Sequence, residues 1–139
     1  MKTINWKRVL IGGLVAGVVF IALMIAVISP LMMSSWEAGM KSGMWAAPSP
    51  QRYVLNNLAL IITGISATFL YAAIRPRFGA RVKTAILTGI LVALFKDVLP
   101  GVERLIWSNE PGESVKLWIV LSSVSSVVST FVGAWIYKE

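Results

Sequence analysis

The sequence predicts an all-α integral membrane protein, a bundle of four transmembrane helices. Three observations lead there. Hydrophobic residues make up 57% of the 139-residue chain and charged residues 14%, against about 25% charged in soluble domains. The mean hydropathy is +0.77, so lipid is the expected solvent for most of the surface. The apolar residues are also gathered into four long runs whose ends carry basic and aromatic residues. This length suits a single membrane domain, residues 1–139, without a separate soluble module.

The first run, Val9 to Ile28, holds twenty residues without a charge. At a rise of 1.5 Å per residue it is about 30 Å long, the thickness of a hydrocarbon core. Lys2, Lys7 and Arg8 ahead of it would suit a signal peptide, but the run exceeds the usual apolar length and no small-x-small cleavage site follows. The predicted spans are then about 9–29, 53–74, either 80–99 or 84–107, and 115–137.

Cations set the expected orientation. Lys2, Lys7, Arg8, Arg75, Arg77, Arg81, Lys83 and Lys138 fall on one side, and Lys41, Arg52, Arg104 and Lys116 on the other. The richer side is expected to be cytoplasmic, with both termini there. Six tryptophans and three tyrosines sit mostly near span ends, as an aromatic belt would. The net charge of +7 follows these span ends rather than a soluble basic face, which argues against nucleic acid as a partner.

Between the first two spans, Met33, Trp36, Met40 and Met44 recur at helical spacing among polar residues. The pattern predicts a short interfacial helix after the first span, stopped by Ala46-Ala47-Pro48-Ser49-Pro50. The alternative is an ordered loop packed on the bundle. The two halves also read as a 2+2 parallel repeat. Each has a basic start, a glycine-bearing helix, a proline near its outer end (Pro30, Pro100), a tryptophan stretch and a similar closing run, Thr68 to Ile74 against Thr130 to Ile136.

No cysteine and no histidine occur. Disulfides, thiolate metal sites and cysteine nucleophiles are excluded, and so are the usual haem and zinc ligands. No base stands near the serines in sequence, so an enzyme is not expected, and no cofactor is predicted. The candidate polar site is Lys96 and Asp97 with Ser122, Ser126 and Ser129. In a span of 84–107 the charged pair lies near the midplane, where a charge is costly without a partner. Neighbouring helix positions point about 100° apart, so each would need a further partner. Pro100 would break the helix beside them, as in many transporters. In a span of 80–99, Lys96 instead snorkels to the outer interface.

Small residues at four-residue spacing predict close helix packing: Gly13 and Gly17, Gly89 with Ala85 and Ala93, and Ser125, Ser129 and Gly133. The cationic turn from Arg75 to Lys83 meets the demands of topology and would also attract anionic lipid headgroups.

Three stretches bear a resemblance: Gly12-Gly13-Leu14-Val15-Ala16-Gly17-Val18-Val19, Leu70-Tyr71-Ala72-Ala73-Ile74-Arg75-Pro76-Arg77-Phe78-Gly79, and Gly133-Ala134-Trp135-Ile136-Tyr137-Lys138-Glu139. Together they look like an uncharacterised family of small bacterial four-helix inner-membrane proteins. The resemblance implies a bacterial cytoplasmic membrane and a four-helix fold, and carries over no activity, cofactor or site residue.

The leading functional expectation is a non-enzymatic accessory or packing subunit, partnered by other membrane chains or by itself within the lipid bilayer. Its motive is small-residue stripes exceeding what one bundle would bury. The alternatives are a small transporter or channel subunit working through Lys96 and Asp97, and a binder of a lipophilic ligand such as a quinone, lipid or pigment, held by outer methionines and tryptophans.

Overall fold

The computed structural model describes residues 4–80 and 82–137, and all its regular structure is helical. Four helices are long and apolar enough to cross a membrane: α1 (Trp6–Lys41), α2 (Pro50–Phe78), α3 (Val82–Trp107) and α4 (Gly112–Ile136). Both ends of the described chain meet at one end of the bundle. There the Asn5 N–H donates to the Tyr137 hydroxyl at 3.2 Å. We call this the terminal end, and the opposite one the loop end.

Local chemistry starts and stops these helices. The Asn5 side chain accepts from the Arg8 N–H at 3.1 Å and caps α1. Ser49 does the same for α2 through the Arg52 N–H at 3.3 Å, and Pro50, which needs no donor there, occupies its first turn. Gly79 closes α2 at φ 81°, a conformation costly for residues with a Cβ. Thr84 then ties α3 to that corner, donating to the Gly79 carbonyl at 2.8 Å.

The expected interfacial helix is not a separate element. α1 runs on through Pro30 to Lys41, 36 residues in all. That is about 54 Å, well beyond a hydrocarbon core, so the Met- and Trp-bearing turns prolong the first span. The helix survives its proline by widening. Met24–Ile28 form a π turn in which the Ser29 N–H reaches the Met24 carbonyl. α3 repeats the device: Leu94–Val98 form a π turn, with the Leu99 N–H on the Leu94 carbonyl. Each π turn opens six residues before a proline, Pro30 or Pro100. A proline ring lacks the N–H and collides with the carbonyl a turn back, and a wider turn relieves both problems. The expected break at Pro100 is therefore a bulge in a continuous helix. Of the two boundaries predicted for this span, α3 follows the longer, 84–107, to within two residues.

Glycine decides which helices touch. A Cβ on Gly64 of α2 would lie 2.5 Å from the Gly13 carbonyl oxygen of α1, and one on Gly17 would lie 2.6 Å from the Ile61 Cα. The two backbones are in direct contact. Gly89 of α3 meets Val127 of α4 in the same manner, at 2.8 Å from its Cα. Gly133 of α4 seats between Gly12 and Ala16 of α1 and Thr68 of α2. Dispersion between closely approached backbones holds such helices together, because lipid removes the usual hydrophobic drive.

Two tyrosines expected in the aromatic belt are inside. Tyr71 and Tyr137 pack edge to face at 6.1 Å, within a terminal-end core that includes Val9, Ala72, Ala85 and Ala134. The outward faces carry Leu14, Val18, Ile25, Leu58, Ile62, Ile90, Phe95, Val120 and Val124, the apolar coat a bilayer requires.

Candidate functional site

The π turn of α3 presents Lys96 and Asp97. Lys96 is the fifteenth residue of its helix and Ser126 the fifteenth of α4, so the antiparallel pair meets in the middle of the bundle. From the terminal end it lies about 15–20 Å deep.

The geometry is compact. Lys96 Nζ donates to Asp97 Oδ1 at 2.6 Å. Ser126 Oγ donates to Asp97 Oδ2. Lys96 Nζ also reaches Ser126 Oγ at 3.5 Å, closing a triangle across two helices. From α1, the ring of Phe20 lies 5.2 Å below the ammonium, and its π face favours the cation. The Asp97 side chain is wholly buried, while that of Lys96 is 28% exposed. Sequence spacing suggested that the two charges would not face each other. They do, because the π turn rotates less per residue than an α turn and draws neighbouring side chains together.

Such a cluster is held at a cost. A single charge at the bilayer centre costs about 2.5–3.5 kcal/mol on insertion scales, and isolating one member of a buried pair costs about 3–5 kcal/mol. The triangle removes that penalty only while all three groups stay together.

Of the serines predicted for the site, Ser126 alone joins it. Ser122 returns its hydroxyl to the Trp118 carbonyl at 2.7 Å. Ser129 is buried and touches neither charge through a hydrogen bond. The predicted packing residues Gly13, Gly17, Gly89 and Gly133 all lie at helix contacts. Ser125 is buried with its hydroxyl on the Leu121 carbonyl at 2.9 Å. Sequence reasoning missed Gly64 and Thr68. Their signal was present in the four-residue spacing of Gly64, Thr68 and Ala72.

Four buried hydroxyls have no partner within the described protein: Thr68, Ser123, Ser129 and Thr130. An unpaired buried hydroxyl costs about 1–3 kcal/mol by mutational measure, so such groups call for water or a ligand.

A second polar feature lies at the loop end. Arg104 of α3 grips Glu110 with two nitrogens, Nε at 3.0 Å and Nη2 at 2.5 Å. Its guanidinium sits 5.1 Å from the ring of Trp45 and 4.7 Å from that of Trp118. The Trp45 N–H bonds the Gly39 carbonyl at 3.0 Å, folding the loop back onto α1. Beside this stack lies a cleft of about 400 Å³ walled by Met32, Trp36, Met44, Ser35 and Ser114.

Among known proteins, no family model, no curated sequence and no solved structure matches this chain.

Proposed function

We propose that this chain is a small membrane transport or channel subunit, and that the Lys96–Asp97–Ser126 cluster is its working site. One observation carries the reading. Asp97 is fully enclosed at mid-depth, with one oxygen on a cation of its own helix and the other on a hydroxyl of the neighbouring helix. Ionisable groups at that depth line ion pathways more often than they serve packing alone. A π turn beside them supplies a helix segment able to change register.

The chain's orientation belongs to the same proposal. The cation excess near the termini favours a cytoplasmic terminal end, and the family resemblance favours a bacterial inner membrane. The glycines that helped motivate the leading expectation of an accessory subunit pack against other helices of the same bundle. The loop-end cleft favours a second reading, a site for an amphipathic ligand between Met32, Met44 and Trp36.

The test is reconstitution into sealed vesicles with an imposed ion gradient, read for proton, sodium and potassium flux. Wild type is expected to pass an ion, and Asp97→Asn to lose that flux while keeping its helical circular dichroism. Vesicles as tight as protein-free ones, or full flux in Asp97→Asn, would sink the reading.

A further inference from the structure

We infer that a second copy of this chain docks on the loop-end half of α2, where Asn56 and Asn57 pair with the same two residues of the other copy. This surface is separate from the Lys96–Asp97–Ser126 cluster, and neither depends on the other.

The face follows from helix geometry. Leu60, Gly64, Ala67 and Tyr71 recur at intervals of four, three and four, so they share one side of α2, and all are buried. Continued toward the loop end, the same side takes in Asn57 and Asn56, three and four residues before Leu60, and then Tyr53. There the burial stops. Every residue from Gln51 to Ala59 is exposed, Tyr53 by 62%. The bundle covers this side of α2 from Leu60 onward and leaves the stretch before it without a neighbour.

That stretch still lies at membrane depth. Antiparallel α1 fixes its height. Gly13 meets Ile65 and Gly17 meets Ile61, so each step along α1 matches one step back along α2. Asn57 is then level with Ile21 and Asn56 with Ala22, about 18–20 Å beyond Val9. Both fall inside the Val9 to Ile28 run, whose length matches a hydrocarbon core. Phe20, whose ring faces the Lys96 ammonium, stands at nearly the same height.

A carboxamide at this depth needs a polar partner. It carries two N–H donors and a carbonyl acceptor, and hydrocarbon satisfies none of them. Thr63 of the same helix meets its need on the Ala59 carbonyl at 2.8 Å. The Asn56 and Asn57 side chains make no hydrogen bond among the described residues.

The chemistry of the face selects a copy of the same helix. An amide is self-complementary, because the N–H of one fits the carbonyl of another. Copies inserted alike in one membrane bring their α2 helices together in parallel, with Asn56 and Asn57 at the depth of their counterparts. Asparagines bonded across such an interface hold membrane helices together, and the two-fold arrangement closes on itself as a dimer. Tyr53, Asn56 and Asn57 carry no charge that would call for an oppositely charged partner. The adjacent cation, Arg52, donates to the Ala47 carbonyl of its own chain.

Cross-linking of the full chain in bilayers tests this, and the absence of native cysteine makes each introduced thiol a single reporter. Tyr53→Cys lies at the centre of the face, between the two asparagines, and Leu55→Cys about 200° round the helix from it. Under copper-catalysed oxidation, Tyr53→Cys is expected to give a species of twice the mass and Leu55→Cys to remain single. Energy transfer between labelled copies diluted with lipid should show Asn56→Leu with Asn57→Leu weakening the dimer by about tenfold or more, with circular dichroism unchanged. Equal cross-linking at the two positions, a link to a different chain, or undiminished association of the leucine variant would overturn the dimer. So would a Tyr53→Cys thiol that stays single and reacts freely with a water-soluble maleimide, since water rather than a second copy would then occupy the face.

Discussion

Ser126 of the fourth helix donates its hydroxyl to the carboxylate of Asp97 on the third, and so holds the far side of a charge whose near side is neutralised by Lys96. The carboxylate is thereby shared between two helices, and its removal should be felt as a coupled loss.

A double-mutant comparison exposes that coupling. Asp97→Leu alone strands the Lys96 ammonium and is expected to destabilise the bundle by about 3–5 kcal/mol. Lys96→Met with Asp97→Leu replaces the pair by apolar groups and should recover most of that loss. Unfolding of each variant in mixed micelles measures it. Additive losses would mean that the pair is not coupled.

Gly64 sets the approach of α1 and α2. Gly64→Ala places a methyl group against the Gly13 carbonyl, and backbone cannot yield as a flexible side chain does. A destabilisation of about 1–3 kcal/mol is expected from the overpacking. Gly112→Ala, where the nearest atom is the Leu105 Cδ2 at 3.8 Å, should change stability far less. Thermal unfolding of the two variants side by side makes the comparison.

Pro100 is the cause assigned to the widened turn that carries the site. Pro100→Ala restores an N–H and removes the ring, so the turn is free to contract to an α turn. Lys96 and Asp97 should then diverge, and the Lys96–Ser126 approach should lengthen. Distance measurements by solid-state NMR on labelled Lys96 and Ser126 would show it. Pro30→Ala, whose π turn bears no charge, should leave that distance unchanged.

Arg104 anchors the loop end by its planar fork and two stacked indoles. Arg104→Lys keeps the charge but lacks the fork and the flat face, so it is expected to behave like Arg104→Ala. In both, the Trp45 N–H, now bonded to the Gly39 carbonyl, should exchange with deuterium at least tenfold faster. Protection unchanged in the lysine variant would show that charge alone suffices there.

Much of the architecture was legible in the residues. Runs such as Val9 to Ile28 have the length and composition of a membrane span, and four such helices recur along the chain. The glycine stripes were legible as packing surfaces, because spacing by four places residues on one helix face whatever the surroundings. The site was half legible. Lys96 and Asp97 stand out by charge in an apolar run, but their depth depended on whether the helix ended near Pro100, and proline by itself permits either outcome.

The sequence by itself determined four apolar helices, their small-residue faces and the presence of a charged pair within the third. Those are properties of composition and of the 3.6-residue period, which act locally. Only the tertiary structure decided that both prolines are absorbed by π turns, that α1 continues to Lys41 instead of turning into the interface, that Ser126 rather than Ser122 or Ser129 meets Asp97, and that Arg104 lies between Trp45 and Trp118. Each of these depends on which helix lies opposite and at what height. A hydroxyl or an indole finds its partner across the bundle, between residues as far apart in sequence as Asp97 and Ser126, and the helical period cannot encode that register.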